Sequence, residues 1–207
     1  GITIKGIALP IITNNTIIGN TGLWNHGGIE CLTDSAVVIT NNIITSTLNS
    51  YGIYSSSITP VIKYNNIWGN GSGNYSDIIG DQTGLNGNIS TESGLIDPAG
   101  NNYRLNHTSK CINAGDPNYT PGPGETDYYG QQRLLGQHVD IGAGETWPVW
   151  NITRGDKYEK IQQAVDDAND YDTLVVTVGT YTGPGNTDIN FDGKPITLQS
   201  TDPNDAD

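Results

Sequence analysis

The feature that most constrains this chain is a repeat with a period in the twenties. Three segments each begin with Gly-Ile and reach an Asn-Asn pair: Gly6-Ile7 to Asn14-Asn15, Gly28-Ile29 to Asn41-Asn42, and Gly52-Ile53 to Asn65-Asn66. Apolar residues follow each pair, as Ile17-Ile18, Ile43-Ile44 and Ile67-Trp68. The last two copies are 24 residues apart at both landmarks, whereas the first two Asn-Asn pairs are 27 apart, the spacing expected when one turn carries a short insertion. A period of this length implies a solenoid, a stack of small units that each contact only their neighbours.

Each copy holds two short β-branched stretches broken by Gly, Ser, Asn or Pro, and none reaches the ten or so residues of a helix. Leucine-rich and ankyrin-like units are thereby excluded. What remains is an all-β chain folded as a right-handed parallel β-helix, with two or three short strands per coil and equivalent residues stacked ~4.8 Å apart. Composition agrees, because 27 of 207 residues are Gly and only 15% are charged, while one Phe and no Met leave Ile and Val to build the core. Asn14, Asn15, Asn41, Asn42, Asn65 and Asn66 are expected to stack at one corner, since Asn tolerates the left-handed conformation and can pass side-chain hydrogen bonds from coil to coil.

With these residues in view, the chain resembles the pectate-lyase-like right-handed parallel β-helix proteins of secreted and cell-surface bacterial and archaeal polypeptides. Residues 1–145 resemble the last part of such a β-helix, closing with Tyr103-Arg104-Leu105, then Cys111 to Pro117, then Val139 to Glu145. The usual form of that ending has Tyr where this chain has Gly144. The resemblance also implies that Asp127, Gly130 and Arg133, set before Asp140, form a loop clasp with Arg133 paired to an Asp.

Beyond Glu145 the pattern changes. Asp156 with Glu159 three residues on has the form of a capping box, and Tyr158, Ile161, Ala164, Val165 and Ala168 follow helical spacing, which predicts one amphipathic helix over about 157–169. Strand-like runs follow at Thr173 to Val178 and around Ile196-Thr197-Leu198. In the family this order opens a β-helix, the helix covering the end of the stack. Residues 146–207 are therefore read as the start of a following unit, and the chain as an excerpt of a longer tandem array; the alternative is an accessory domain folded back on residues 1–145.

Nine Lys and Arg against 22 Asp and Glu give a formal charge of −13, which repels a phosphate backbone and argues against a nucleic-acid partner. No run of about 18 apolar residues suggests a membrane span, and neither the basic nor the apolar region of a signal peptide opens the sequence. Cys31 and Cys111 lie about three coils apart, too far for a disulfide, and are expected as buried thiols. The coils offer only Glu30 and Asp34 as acids and Lys63 as a base, too few for the Ca²⁺-and-base chemistry of the lyases that the resemblance brings to mind, so no catalytic site is expected. His26, His107 and His138 lack zinc-ligand spacing. Asp202, Asn204, Asp205 and Asp207 could offer oxygens to Ca²⁺ but lack an EF-hand pattern, so no cofactor is expected.

Asn-x-Ser/Thr sequons stand at Asn14, Asn70, Asn74, Asn88, Asn106, Asn118 and Asn151. Asn14 is expected inside the stack, and the others in loop-like segments open to N-glycosylation. The reading as a whole is an extracellular or cell-surface structural rod that associates end to end. Its rival is polysaccharide recognition by an adhesin or part of a lyase or hydrolase, with Trp24, Tyr51, Tyr54 and Trp68 as the glycan-contact aromatics.

Overall fold

The computed structural model describes residues 1–201 apart from 8, 26, 33–35 and 58, and leaves the side chains of 23–25 undescribed. His26, Asp34, Asp202, Asn204, Asp205, Asp207 and the indole of Trp24 thus lie outside the described residues. The fold is a β-solenoid of short parallel strands with one short helix. Its first coil comprises β1 (Ile2–Lys5), β2 (Ile11–Thr13) and β3 (Thr16–Ile18); the second β4 (Thr21–Asn25), β5 (Ile29–Leu32), β6 (Val38–Thr40) and β7 (Ile43–Thr45); the third β8 (Leu48–Ser55), β9 (Val61–Lys63) and β10 (Asn66–Trp68). A fourth begins with β11 (Gly73–Tyr75). These strands build three parallel sheets, ordered β1-β5-β8-β11, β2-β6-β9 and β3-β7-β10, with β4 also paired to β8.

Strand alternation sends one set of β-branched residues inward. In register across the coils are Ile2, Ile29 and Ile53, then Ile12, Ile39 and Ile62, then Ile17, Ile44 and Ile67. These Ile residues, with Ile4 and Cys31, line one continuous core, and each buried Ile contributes about 1.5–3 kcal/mol. Pairing also corrects the phase of the repeat: the partner of Ile29 in the first coil is Ile2, so the unit opens at Gly1-Ile2, and Ile7 is fully exposed. The repeated Gly has a steric cause. A Cβ on Gly28 would lie 2.1 Å from the Gly52 carbonyl oxygen and 2.8 Å from Ile44 Cγ2, and one on Gly52 would lie 2.7 Å from Ile67 Cγ2.

At the corner between the second and third sheets a ladder of side-chain amides runs through Asn15, Asn42, Asn65 and Asn88. The Oδ1 atoms of Asn42, Asn65 and Asn88 each accept from both the backbone N–H and the Nδ2–H of the Asn one coil earlier, at 3.0 and 2.9 Å, 2.9 and 3.0 Å, and 3.0 and 3.1 Å in turn. The residue before each of the first three rungs, Asn14, Asn41 and Tyr64, has φ of 60°, 56° and 50°. Of the six Asn expected in the stack, Asn15, Asn42 and Asn65 are rungs and Asn14 and Asn41 the left-handed residues before them. Asn66 falls on β10 instead, because the corner spacing between the second and third coils is 23 residues and not 24. Its amide bridges to Thr91 O (3.0 Å) and Cys111 Sγ (3.1 Å).

After the fourth coil the chain returns along the outside of the third sheet. A hairpin of β12 (Leu95–Asp97) and β13 (Asn102–Leu105) leads into an irregular segment whose Leu105, Cys111, Ile112 and Ile141 pack on the outward-facing Ile43. Asn66 touches Cys111, the Asn41 carbonyl accepts Gly142 N at 2.9 Å, and Thr16 Oγ1 accepts Ala143 N at 3.1 Å. The segment therefore climbs back from the third coil to the first along the flank. Cys31 and Cys111 are both buried free thiols.

Residues 146–201 have a core of their own. β14 (Val149–Asn151) pairs antiparallel with β15 (Asp156–Tyr158) and β16 (Thr173–Val176), and β16 pairs parallel with β17 (Thr197–Ser200) at Leu174 to Leu198, a 24-residue step like that from Ile29 to Ile53. Helix α1 (Ile161–Asp167) lays Ile161, Ala164 and Val165 on Val149, Tyr158 and Leu174. It is shorter than expected and lacks the capping box. Asp156 to Tyr158 is drawn into the sheet opposite β14, so the helix starts after Lys160, which makes no side-chain cap. The first-turn donors go instead to Asn186 Oδ1 (3.1 Å, from Ile161 N) and Gly185 O (2.8 Å, from Gln162 N). Lys194 Nζ closes the other end, donating to the carbonyls of Val165 (3.0 Å), Asp166 (2.5 Å) and Ala168 (2.9 Å).

The ladder is open to a direct test at Asn65, which is fully buried. Asn65→Ala leaves the Asn42 N–H and the Ile39 and Lys63 carbonyls without their amide partner, at an expected cost of about 2–4 kcal/mol. Urea unfolding of the variant measures it; a loss under about 1 kcal/mol would mean that the ladder does not hold the coils together.

Candidate functional site

The terminal segment is pinned by a buried ionic clasp, and the clasp in turn presents an aromatic surface. Arg133, Asp140 and Glu145 are each nearly inaccessible. Arg133 Nη1 lies 3.0 Å from Glu145 Oε1, while its Nη2 donates to the carbonyls of Gly142 (2.8 Å) and Asp140 (3.3 Å). The expected partner was an Asp; the structure pairs Arg133 with Glu145, because the Asp140 carboxylate is already occupied by the N–H groups of Asn113 (2.8 Å) and Thr146 (2.7 Å). Asp127 works on backbone as well: Oδ1 accepts from Tyr129 N and Gln131 N, both at 2.8 Å, and Oδ2 from Glu145 N at 2.9 Å. Asp127, Arg133 and Asp140 thus do meet in one loop clasp.

Two buried carboxyl groups face one guanidinium, and burial lifts both above the ordinary carboxylate range. For Glu145 the nearby Asp140 adds to the rise and Arg133 opposes it; for Asp140 the Asn113 and Thr146 hydrogen bonds pull back. The clasp is accordingly a proton-binding element in the folded state.

Held by Asp127, Tyr128 and Tyr129 stack edge to face, their centroids 5.0 Å apart. Tyr128 meets Tyr103 in the same manner at 6.5 Å, Tyr129 Oη accepts Tyr103 N at 2.7 Å, and the Arg104 guanidinium lies 3.5 Å above the Tyr129 ring. Tyr103 and Tyr128 form one wall of a cleft of about 400 Å³, whose other wall is the first coil at Ile2, Ile17, Ile18 and Asn20. The repeat could not reveal this surface, since Tyr103 lies on the β13 hairpin and Tyr128 in irregular chain, both beyond the repeating coils. Its sequence signals were the adjacent aromatics Tyr128-Tyr129 directly after Asp127 and the Tyr103 of the closing segment.

Among the described side chains the expected glycan-contact aromatics fall in two places. Tyr51 and Tyr54 lie together on β8, centroids 6.2 Å apart, whereas Trp68 stands on β10 in the third sheet, 40% exposed. Glu30 lies on β5, where its Oε2 accepts Thr3 Oγ1 at 3.1 Å, and Lys63 is exposed on β9 in another sheet. The His107 ring lies 5.7 Å from Trp150, and His138 Nδ1 is 3.3 Å from the Asn113 carbonyl. Among the described residues no three His, Cys, Asp or Glu side chains are grouped to hold a metal ion, and no helix is long and apolar enough to cross a membrane.

The sequons divide by exposure. Asn88 is a buried ladder rung, and Asn151 is buried with its amide on Asp172 Oδ2 at 2.7 Å, so neither is open to glycosylation in the folded chain. Asn70 is engaged at the next corner, donating to Ile44 O (3.2 Å) and accepting Thr47 N (3.1 Å). Asn118 is exposed, while Asn74 and Asn106 are partly so. No family model, curated protein or solved structure matches the chain.

The clasp sets a pH dependence. Glu145 binds its proton more tightly folded than unfolded, so its stabilising contribution is full below the ordinary carboxylate value of about 4.3 and is lost as pH rises toward its elevated folded value. Glu145→Gln cannot ionise. Melting curves from about pH 5 to about pH 9 are expected to show the wild type losing about 3 °C or more relative to this variant; parallel curves would place no proton on the clasp.

Proposed function

We propose that this chain is a non-catalytic structural β-solenoid whose copies join head to tail through open strand edges, in an extracellular or cell-surface array. The carrying observation is a match between two edges. Among the described residues β1 pairs only with β5, and β17 only with β16. Both alternate in the same way: Ile2-Thr3-Ile4-Lys5 turns Ile toward the core, and Ile196-Thr197-Leu198-Gln199 turns Ile196 and Leu198 toward the core beneath α1. A parallel joint that sets Leu198 over Ile4 continues both the apolar stack and the backbone ladder. Such a contact is heterologous and does not close on itself, so it builds a filament. The likeness to secreted pectate-lyase-like proteins, the acidic composition and the exposed sequon at Asn118 support the extracellular setting.

Recognition of a polysaccharide is the second reading, favoured by the Tyr51 and Tyr54 pair on the first sheet. It predicts glycan binding that Tyr51→Ala and Tyr54→Ala abolish.

Cross-linking separates the two. In the proposed joint Thr3 and Thr197 are outward-facing neighbours, so the double variant Thr3→Cys/Thr197→Cys is expected to give a ladder of disulfide-linked oligomers on mild oxidation, while native Cys31 and Cys111 stay buried. Thr3→Cys/Gln199→Cys, displaced by two residues or ~7 Å, is expected to give little. Monomers alone, or equal ladders from both variants, would overturn the joint.

A further inference from the structure

Charge is divided unevenly along this chain. Residues 1–75 hold two acids, Glu30 and Asp34, against Lys5 and Lys63, so the whole formal charge of −13 falls on residues 76–207. The regular coils are thus a neutral body joined to a strongly acidic one, an asymmetry that suits attachment to a charged surface. Glu30 is buried on β5 in the first sheet. No acid stands on any strand of the second sheet, whose charged residue is Lys63.

Strand alternation turns two columns of that sheet outward. One is Ile11, Val38 and Val61, the other Thr13, Thr40 and Lys63, each in register from coil to coil. Ile12, Ile39 and Ile62 between them face the core, whereas Ile11 is 68% and Val61 42% exposed. The loop leading into β2 extends this apolar surface, with Leu9 75% exposed and Ile7 fully so. Lys5, at the end of β1, is exposed two residues before Ile7. At the corner beyond Thr13 the returning segment arrives through Tyr119, whose Oη accepts Asn14 Nδ2 at 2.9 Å. The acid it brings there, Glu125, has both oxygens taken, by the Tyr119 hydroxyl and by Gly122 N at 2.8 Å. Contiguous exposed apolar surface of this kind marks an interaction site. An aliphatic knob that no neighbour shields fits a medium that closes around it, and the flanking lysines fit anionic headgroups beside that medium.

We propose that Ile7, Leu9 and Ile11 enter the interfacial layer of a lipid bilayer whose anionic headgroups meet Lys5 and Lys63. The contact is attachment to one leaflet, driven by the apolar area removed from water and oriented by the two cations. The returning segment covers the third sheet and not the second, so the outward face of the second sheet carries cations in an otherwise acidic molecule. That face runs along the solenoid axis and stays open when copies join end to end, so the attachment does not depend on the proposed joint.

Flotation of the whole chain with phosphatidylcholine vesicles, with and without about 30% phosphatidylserine, tests this. Binding is expected to be tighter with phosphatidylserine and to fall about tenfold or more in Ile7→Asn/Leu9→Asn, whose exposed positions leave the fold intact by circular dichroism. Lys5→Gln/Lys63→Gln is expected to lose the preference for phosphatidylserine, while Val178→Asn, an exposed apolar position outside this face, is expected to bind as the wild type does. A polarity-sensitive fluorophore on Leu9→Cys, with native Cys31 and Cys111 buried, is expected to shift to the blue on vesicles. Binding unchanged in Ile7→Asn/Leu9→Asn, equal binding to the two vesicles, or none up to about 5 mM lipid would overturn the proposal. So would a loss of self-association in Ile7→Asn/Leu9→Asn with no change in lipid binding, which would give the loop to a second copy.

Discussion

The rest of this structure depends on the buried amide ladder of Asn15, Asn42, Asn65 and Asn88. Backbone ladders alone would let neighbouring coils slip, and because side chains alternate along a strand, a slip of one residue turns the apolar set outward. Asn42, Asn65 and Asn88 forbid that slip, since each Oδ1 takes two donors from the Asn of the coil before and each Nδ2 returns to backbone carbonyls. The ladder thereby fixes the phase of the Ile12 and Ile17 stacks on either side. It also sets the outer surface, because Asn41 beside it and Asn66 one position beyond it are the points at which the returning segment attaches.

That returning segment gives the molecule its second layer. It leaves the third sheet covered on its outer side, so Ile43 and Ile44, adjacent on one strand, are both buried. Irregular chain needs another source of order, and the Arg133 clasp supplies it by tying carboxylates to backbone N–H groups from residues 113 to 146. Two acids lie beside that one Arg, and burial lifts both above the ordinary carboxylate range, which gives this order its pH dependence. The same segment presents Tyr103, Arg104, Tyr128 and Tyr129 to the surface, which is why this cation–aromatic cluster lies there and not on the coils.

The sequence made the fold legible because its signals are local: β-branched pairs, Gly where backbones approach closely, and Asn at the corners. Register was harder. An Asn-Asn doublet offers two amides for one rung, and Tyr64 takes the left-handed place that Asn holds in the earlier coils, so counting doublets misplaced Asn66 and passed over Asn88, 23 residues beyond Asn65. At Asp156 a local pattern for capping lost to tertiary pairing with β14, although the helical-period residues from Tyr158 to Ala168 all reached the expected core. The clasp was visible as Asp127, Arg133 and Asp140, but its ion-pair partner Glu145 was not, since only the fold reveals which carboxylate is left for Arg133. The Tyr103 and Tyr128 surface had no periodic signature at all.

A solenoid grows along one axis, and end-to-end growth leaves its width unchanged. Small-angle X-ray scattering across a concentration series therefore tests the account most directly. The account predicts that the radius of gyration rises with concentration while the cross-sectional radius stays constant. A radius of gyration that never changes, or one that rises together with the cross-section, would contradict it.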